Sequence, residues 1–409
     1  MTITTTNGFT YSYNPIDNAI VEGCIPGEAI KIPFEDANPI THFPSIDSFT
    51  IGVTEQCNMR CSYCCYSGIY NKHREHSSAR LREANIEACI EFIERTVANG
   101  DNPSIDFYGG ESLLEFGWVQ SFVAKCSNRF PKAKYELSTN GLILTPQIVD
   151  WLVEHLFNVF ISIDGPDQYH DSCRKDRNHS GTFQRIATNI AHIKESYPLF
   201  WKDNVHLMMT IPDIAKLPEL SEAWMYHPIL KDKIPFRMSE VATIYDVTTP
   251  LADLESELNL YLPLVAYRIA NSENIIVETF FKTWLGEWIE RPIGRIEGKE
   301  AYPTCVPNNR KLYIDSKEKI GICERISDEI RIGSIEDGIN FSEVDRIVGT
   351  LSAFIDRRCS TCEIARVCDI CPDVLSIPDE ILDVYCHNQK ILQQVKFRCF
   401  CELAEANLI

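Results

Sequence analysis

Four cysteines fall within nine positions, Cys57, Cys61, Cys64 and Cys65, and thiolates are the soft ligands that iron–sulfur clusters and zinc select. Three of them, spaced C-x3-C-x2-C, suit an iron–sulfur cube, whose four irons take one ligand each. The stretch from Cys57 to Cys64 spans at most about 28 Å even when fully extended. A loop of that length can wrap one side of a cube and deliver three thiolates, but it has no fourth. One iron is then left open to a ligand that is not protein. Zinc on three thiolates is the alternative, although its usual motif is a C-x2-C pair and a catalytic zinc normally includes a His or a carboxylate. Cys65 directly follows Cys64 and points elsewhere, so structural burial is its expected role.

A second group lies beyond position 300: Cys305, Cys323, Cys359, Cys362, Cys368, Cys371 and Cys386. No cysteine occurs between Cys173 and Cys305. Seventeen cysteines clustered in this way suggest thiolate ligation of metal in a reducing compartment rather than a disulfide framework. The gap suggests one metal site in an N-terminal domain and more in a C-terminal one. Two C-x2-C pairs in the second group also suit a zinc ribbon, which stays open as an alternative there.

The elements that must position these groups alternate between strand and helix patterns. Segments 48–54, 104–109, 134–139, 158–164, 204–211 and 234–241 read as strands. Helical patterns at 84–97, 119–130, 146–156, 183–196 and 216–226 fall between them. Parallel neighbours need a crossover, so six such repeats imply an α/β fold with helices outside a parallel sheet: a partial (β/α)6 TIM-like barrel followed by a small cysteine-rich domain. The cysteine loop follows the first strand, "GGE" the second, "STNG" the third and "SIDGP" the fourth. In such folds the loops after the strands share one reactive face. The boundaries expected are a lead-in over 1–46, irregular or hairpin-like; the barrel over 47–245; a linker-helix region over 246–299; and the cysteine-rich domain over 300–409.

Lys and Arg total 39 against 58 Asp and Glu, a net charge of −19, which argues against a phosphate-tracking nucleic-acid surface. The N-terminus shows no signal-peptide pattern, and no run of about 18 apolar residues occurs. The expectation is a cytoplasmic protein with neither nucleic-acid nor membrane partner.

The pattern Cys57, Cys61, Tyr63, Cys64 after the first strand resembles the signature of the radical S-adenosylmethionine (SAM) enzymes, and the likeness extends over about residues 48–242. The resemblance implies that SAM occupies the open iron through its methionine amino and carboxylate groups, and that its reductive cleavage gives a 5′-deoxyadenosyl radical. It implies cofactor contacts from Tyr63, from Gly109, Gly110 and Glu111 of "YGGE", from Ser138 and Asn140 of "LSTNG", from Ser162 and Asp164 of "SIDGP", and from Arg174, a carboxylate-binding position whose planar fork suits that job.

The cysteines from Cys305 to Cys386 resemble the SPASM extension of radical SAM peptide-modifying enzymes, which binds two auxiliary four-iron clusters. That likeness implies three [4Fe-4S] clusters in all. Cys359, Cys362, Cys368 and Cys386 would hold the second auxiliary cluster, and Cys305, Cys323 and Cys371 the first. Anaerobic sulfatase-maturing relatives carry a further cysteine shortly after the Cys305 equivalent, which this chain lacks. The vacant position is open to a substrate thiolate, a carboxylate, water, Cys399 or Cys401. The expected activity is that of a peptide maturase acting on a ribosomally made precursor and forming a thioether or carbon–carbon crosslink. The alternative is a sulfatase maturase making formylglycine, with Glu324 in the place of its acidic catalytic base. The expected partners are a precursor peptide, an external electron donor such as flavodoxin or ferredoxin, and a separate leader-binding protein.

Overall fold

The computed structural model describes residues 1–24, 46–68, 74–97, 102–241, 250–294, 310–326, 328–368 and 370–409. Cys305 lies outside the described residues. The chain starts with a three-stranded antiparallel sheet, β1 (Thr2–Thr4), β2 (Thr10–Asn14) and β3 (Ala19–Glu22). The barrel strands are β4 (Ser48–Thr54), β5 (Ser104–Gly109), β6 (Lys134–Thr139), β7 (Asn158–Ser162), β8 (Val205–Ile211) and β9 (Arg237–Glu240). All six pair in sequence order and in parallel.

Helices α1 (Ile86–Thr96), α2 (Phe116–Arg129) and α3 (Pro146–Glu154) connect the first four of these strands, and α4 (Asp167–Cys173), α5 (Phe183–Ser196), α6 (Pro198–Asn204) and α7 (Leu217–Tyr226) the rest. After α8 (Leu254–Ala270), α9 (Ile275–Trp284) and α10 (Gly286–Ile289), the chain returns to the sheet. There β10 (Lys311–Ile314) pairs parallel with β4, and β11 (Lys319–Gly321), β12 (Gly333–Ser334) and β13 (Gly338–Ile339) continue it antiparallel. The sequence reading ended the sheet at the sixth strand. Instead, among the described residues it has ten strands, and the C-terminal region supplies four of them.

Two further helices, α11 (Phe341–Arg358) and α12 (Asp379–Glu405), complete the chain. Helix α12 joins two hydrophobic cores: Ile391, Val395, Cys399 and Leu403 pack with the barrel, whereas Leu382, Tyr385, Phe397 and Cys401 pack with Tyr13 and Trp288. Cys399 and Cys401, two residues apart on a helix, therefore face different cores, and both are buried. That is the structural burial expected of apolar thiols, and the two do not converge on one site.

The barrel core is centred on Phe107 of β5, which is fully buried. Its ring lies 5.6 Å from that of Phe122 and 6.0 Å from that of Phe157, with Trp118 and Tyr135 each at 6.4 Å. Truncating such a ring removes both the transfer energy and the cavity contacts around it. Phe107→Ala is expected to destabilise the protein by about 3–5 kcal/mol in denaturant unfolding, and a loss below about 1 kcal/mol would contradict this core assignment.

Candidate functional site

A cavity of about 470 Å³ opens at the C-terminal ends of the barrel strands and runs into the barrel. Cys57, Cys61 and Cys64 line one wall with Tyr63, and Cys65, expected to point elsewhere, lines the cavity as well. Gly109 and Gly110 from the end of β5, Ser138 and Asn140 from β6 and its loop, Ser162 from β7, and Arg174 beyond α4 also line it. The loops after four successive strands thus converge as their spacing implies.

The thiol loop has no secondary structure of its own and is held by its neighbours. Arg60 N donates to Lys175 O at 2.7 Å and Ser62 N to Cys173 O at 3.0 Å, with a bridge between Met59 and Asp176. Arg177 Nε donates to Cys57 O at 2.7 Å. Residues 173–177 therefore form a strap along the loop, a feature with no sequence signal because most of its contacts are made by the backbone. On the other side, Asn140 Nδ2 donates to Asn58 Oδ1 at 2.7 Å and lies 3.7 Å from Cys57 Sγ.

The two glycines permit a close crossing of chains. Gly109 has φ +138°, and a Cβ there would stand 2.3 Å from Thr54 O, while one on Gly110 would stand 2.2 Å from Gln56 O. Only glycine fits such a contact, so "GG" lets the end of β5 run against the base of the thiol loop. Glu111 and Asp164 do not line the cavity. Glu111 is buried and accepts from Thr139 Oγ1, Asn140 N and Leu113 N at 2.8, 2.7 and 3.1 Å. Asp164 is fully buried and accepts from Tyr63 Oη and from Thr210 N. Both carboxyl groups are engaged by the chain and brace the loops around the cavity.

The donor set fits an iron–sulfur cluster. Met59 N points at Cys57 Sγ and Tyr66 N at Cys64 Sγ, each at 3.4 Å, and such N–H groups stabilise thiolate over thiol. Burial pushes the Cys57 thiol up to about 12 and the Cys61 thiol up to about 11, with Arg174 opposing the shift at Cys61. Each must shed a proton to bind metal, so loading is favoured as pH rises. Among the described residues no three Cys, His, Asp or Glu side chains converge on a single ion. Thiolates that each take a different corner of a cube do not have to. Arg174 is 8% exposed, and its Nε is buried without a partner, an unsatisfied donor in the wall that a carboxylate ligand would satisfy.

The C-terminal half also enters this cavity, through Lys311 of β10 and through Glu324 and Arg325 beyond β11. Lys311 Nζ lies 2.8 Å from Glu324 Oε2. Burial would raise the Glu324 carboxyl, but the Lys311 ammonium outweighs it and holds the group below the usual carboxylate range. Asp106 of β5 lines the floor, its carboxyl pushed up to about 7 by burial. The motifs give no sign of Asp106 or Lys311. Of the remaining cysteines, Cys359, Cys362, Cys368 and Cys386 gather at the core shared by α11 and α12, while Cys323 and Cys371 pack against the barrel core. The SPASM resemblance assigns the first set to one auxiliary cluster and Cys323 and Cys371, together with Cys305, to the other.

Residues 51–216 match the family model described as "Radical SAM superfamily". The cysteine-type anaerobic sulfatase-maturating enzyme of Clostridium novyi (strain NT) is 29% identical over 205 residues, 44% of this chain and 54% of the relative. A radical SAM cyclopropyl synthase of Paramaledivibacter caminithermalis is 28% identical over 170 residues, 39% of this chain and 35% of the relative. The chain thus spans about a third to a half of the length of these curated relatives. Native anSMEcpe with bound AdoMet shares the fold with a TM-score of 0.61 at 19% identity, over 88% of this chain and all of the other. That likeness reaches into the cysteine-rich C-terminal region, which fits an auxiliary domain. Replacing Cys57, Cys61 or Cys64 by Ala is expected to remove about four irons per chain, one cubane, from anaerobically reconstituted protein assayed for iron and sulfide. Cys65→Ala should leave the iron content intact, and any of the three replacements keeping full iron would refute the ligand set. The three-thiol loop, the four strand-end motifs and the family match agree that residues 51–216 are a radical SAM domain.

Proposed function

We propose that the protein is a radical SAM peptide maturase that takes a hydrogen atom from a ribosomally made precursor peptide and forms a thioether or carbon–carbon crosslink. The observation that carries this reading is the single cavity in which the thiol-loop residues and the C-terminal Lys311–Glu324 pair meet. When bound, the cluster and SAM supply a carbon radical able to break an unactivated C–H bond, chemistry that side-chain acids and bases do not supply. Cys57, Cys61 and Cys64 hold the cluster, and Arg174, Ser138 and Ser162 face the nucleotide from the cavity wall. Glu324, ionised beside Lys311, accepts the proton that leaves when the new bond forms. Cys359, Cys362, Cys368 and Cys386 would hold one auxiliary cluster and Cys305, Cys323 and Cys371 the other, and such clusters would supply an electron acceptor or a ligand site for the substrate. An external flavodoxin or ferredoxin delivers the reducing electron, and a separate leader-binding protein presents the precursor.

Formylglycine formation from Cys or Ser in a sulfatase is the second reading. Glu324 in the reaction cavity favours it, as do the sulfatase-maturating relatives and the fold shared with anSMEcpe carrying the Cp18Cys peptide. Incubating the anaerobically reconstituted protein with SAM, reductant and the peptide encoded beside its gene separates the two. Crosslinking lowers the peptide mass by two hydrogens, whereas formylglycine from Cys exchanges the thiol for an aldehyde. Absence of 5′-deoxyadenosine under every condition removes both.

Because Lys311 holds Glu324 low, the base stays ionised down to the acid side of the ordinary carboxylate range, and kcat/KM should decline only there. Glu324→Gln should lower kcat by about a hundredfold or more and abolish that acid limb while SAM affinity is unchanged. A variant that retains the wild-type pH profile would assign Glu324 a structural role.

A further inference from the structure

Behind the cavity wall lies a chain of buried polar contacts that joins the thiol loop to Arg174. Tyr63 Oη donates to Asp164 Oδ2 and accepts from Arg174 Nη1 at 2.7 Å. The hydroxyl thus bridges a guanidinium and a carboxyl whose nearest direct approach is 3.9 Å. Asp164 Oδ1 accepts from Thr210 N at 3.0 Å, so the first residues beyond β7 are tied to β8. The backbone of the same residue donates to His170 Nδ1 at 3.3 Å, which leaves His170 Nε2 as the donor to Thr182 Oγ1 at 3.0 Å. Thr182 Oγ1 in turn donates to Arg174 O at 2.9 Å. Both the side chain and the main chain of Arg174 are therefore fixed from Asp164. Asp164 and His170 are fully buried, and neither lines the cavity.

The buried atom in this set without a partner is Arg174 Nε, in a residue that does line the cavity. Nη1 is committed to Tyr63. We infer that Asp164 is a positioning residue: through Tyr63 and His170 it braces the thiol loop and turns Arg174 so that the uncommitted edge of its fork is available to the SAM carboxylate. The carboxyl is required chemically, because both of its oxygens face donors. An amide would set its N–H₂ group either against Thr210 N, donor against donor, or against Tyr63 Oη, which already accepts from Arg174 Nη1 and would lose the acceptor for its own hydrogen. This inference depends on the radical SAM domain alone and holds whichever substrate is modified.

The test uses full-length, anaerobically reconstituted holoprotein and SAM itself as the probe, with four variants: Asp164→Asn, Tyr63→Phe, Arg174→Ala and the Asp164→Asn/Arg174→Ala pair. The readouts are iron content, melting temperature, SAM dissociation constant by calorimetry and the SAM-induced change in the reduced cluster's electron paramagnetic resonance (EPR) spectrum. Asp164→Asn and Tyr63→Phe should each retain iron yet weaken SAM binding by about tenfold or more. The double variant should bind no more weakly than Arg174→Ala alone, since two residues acting through one contact are not additive. SAM affinity within about twofold of the parent in both single variants, or additive losses in the pair, would overturn the inference. If Asp164→Asn fails to fold, Tyr63→Phe breaks the same relay with the loss of one hydroxyl. Loss of iron in both variants with unchanged SAM affinity in the loaded fraction would also overturn it.

Discussion

Three sulfur atoms on an eight-residue loop without secondary structure have to face one cavity, and most of the surrounding architecture serves that constraint. The thiols from Cys57 to Cys64 gain backbone N–H donors at Cys57 and Cys64 but little rigidity of their own. Rigidity comes from outside the loop, from the 173–177 strap along one side, Asn140 on the other and the glycine crossing beneath. Each brace belongs to a different strand-end loop. The parallel sheet brings all of them to one end because parallel strands finish on the same side.

The C-terminal half is not an appendage to this arrangement. β10 adds to the barrel sheet beside β4, and through it Lys311 reaches the cavity that the thiol loop opens onto. Glu324 follows on the turn after β11 and is paired there. Helix α12 is anchored in both cores, and Glu402 on it accepts from Thr6 N and Thr6 Oγ1 at 2.6 and 2.7 Å, which ties the N-terminal hairpin to the other end of the chain. A buried carboxylate with several donors is costly to disturb, so these contacts fix the halves relative to each other.

The sequence reveals the groups whose chemistry depends on residue type and spacing. The cysteine loop, "GGE" and the alternation of strand and helix could be read because period and ligand geometry leave a trace in the chain. What could not be read arises from tertiary pairing. The strap 173–177 is recognised mainly by backbone hydrogen bonds, which carry no side-chain signature, and the return of β10 to β4 joins residues more than two hundred positions apart. Glu111 and Asp164 show the same limit. Their motifs place them correctly at strand ends, but only packing reveals that both carboxyl groups are spent on the chain itself.

The central claim is that three protein thiolates leave one iron of the cube for the methionine end of SAM. Electron–nuclear double resonance on the reduced holoprotein, with SAM isotopically labelled at its amino nitrogen, tests this directly. The account predicts a hyperfine coupling from the labelled nitrogen to the cluster that is absent in Cys57→Ala protein. A reduced cluster whose spectrum is indifferent to saturating SAM, with no such coupling, would contradict it.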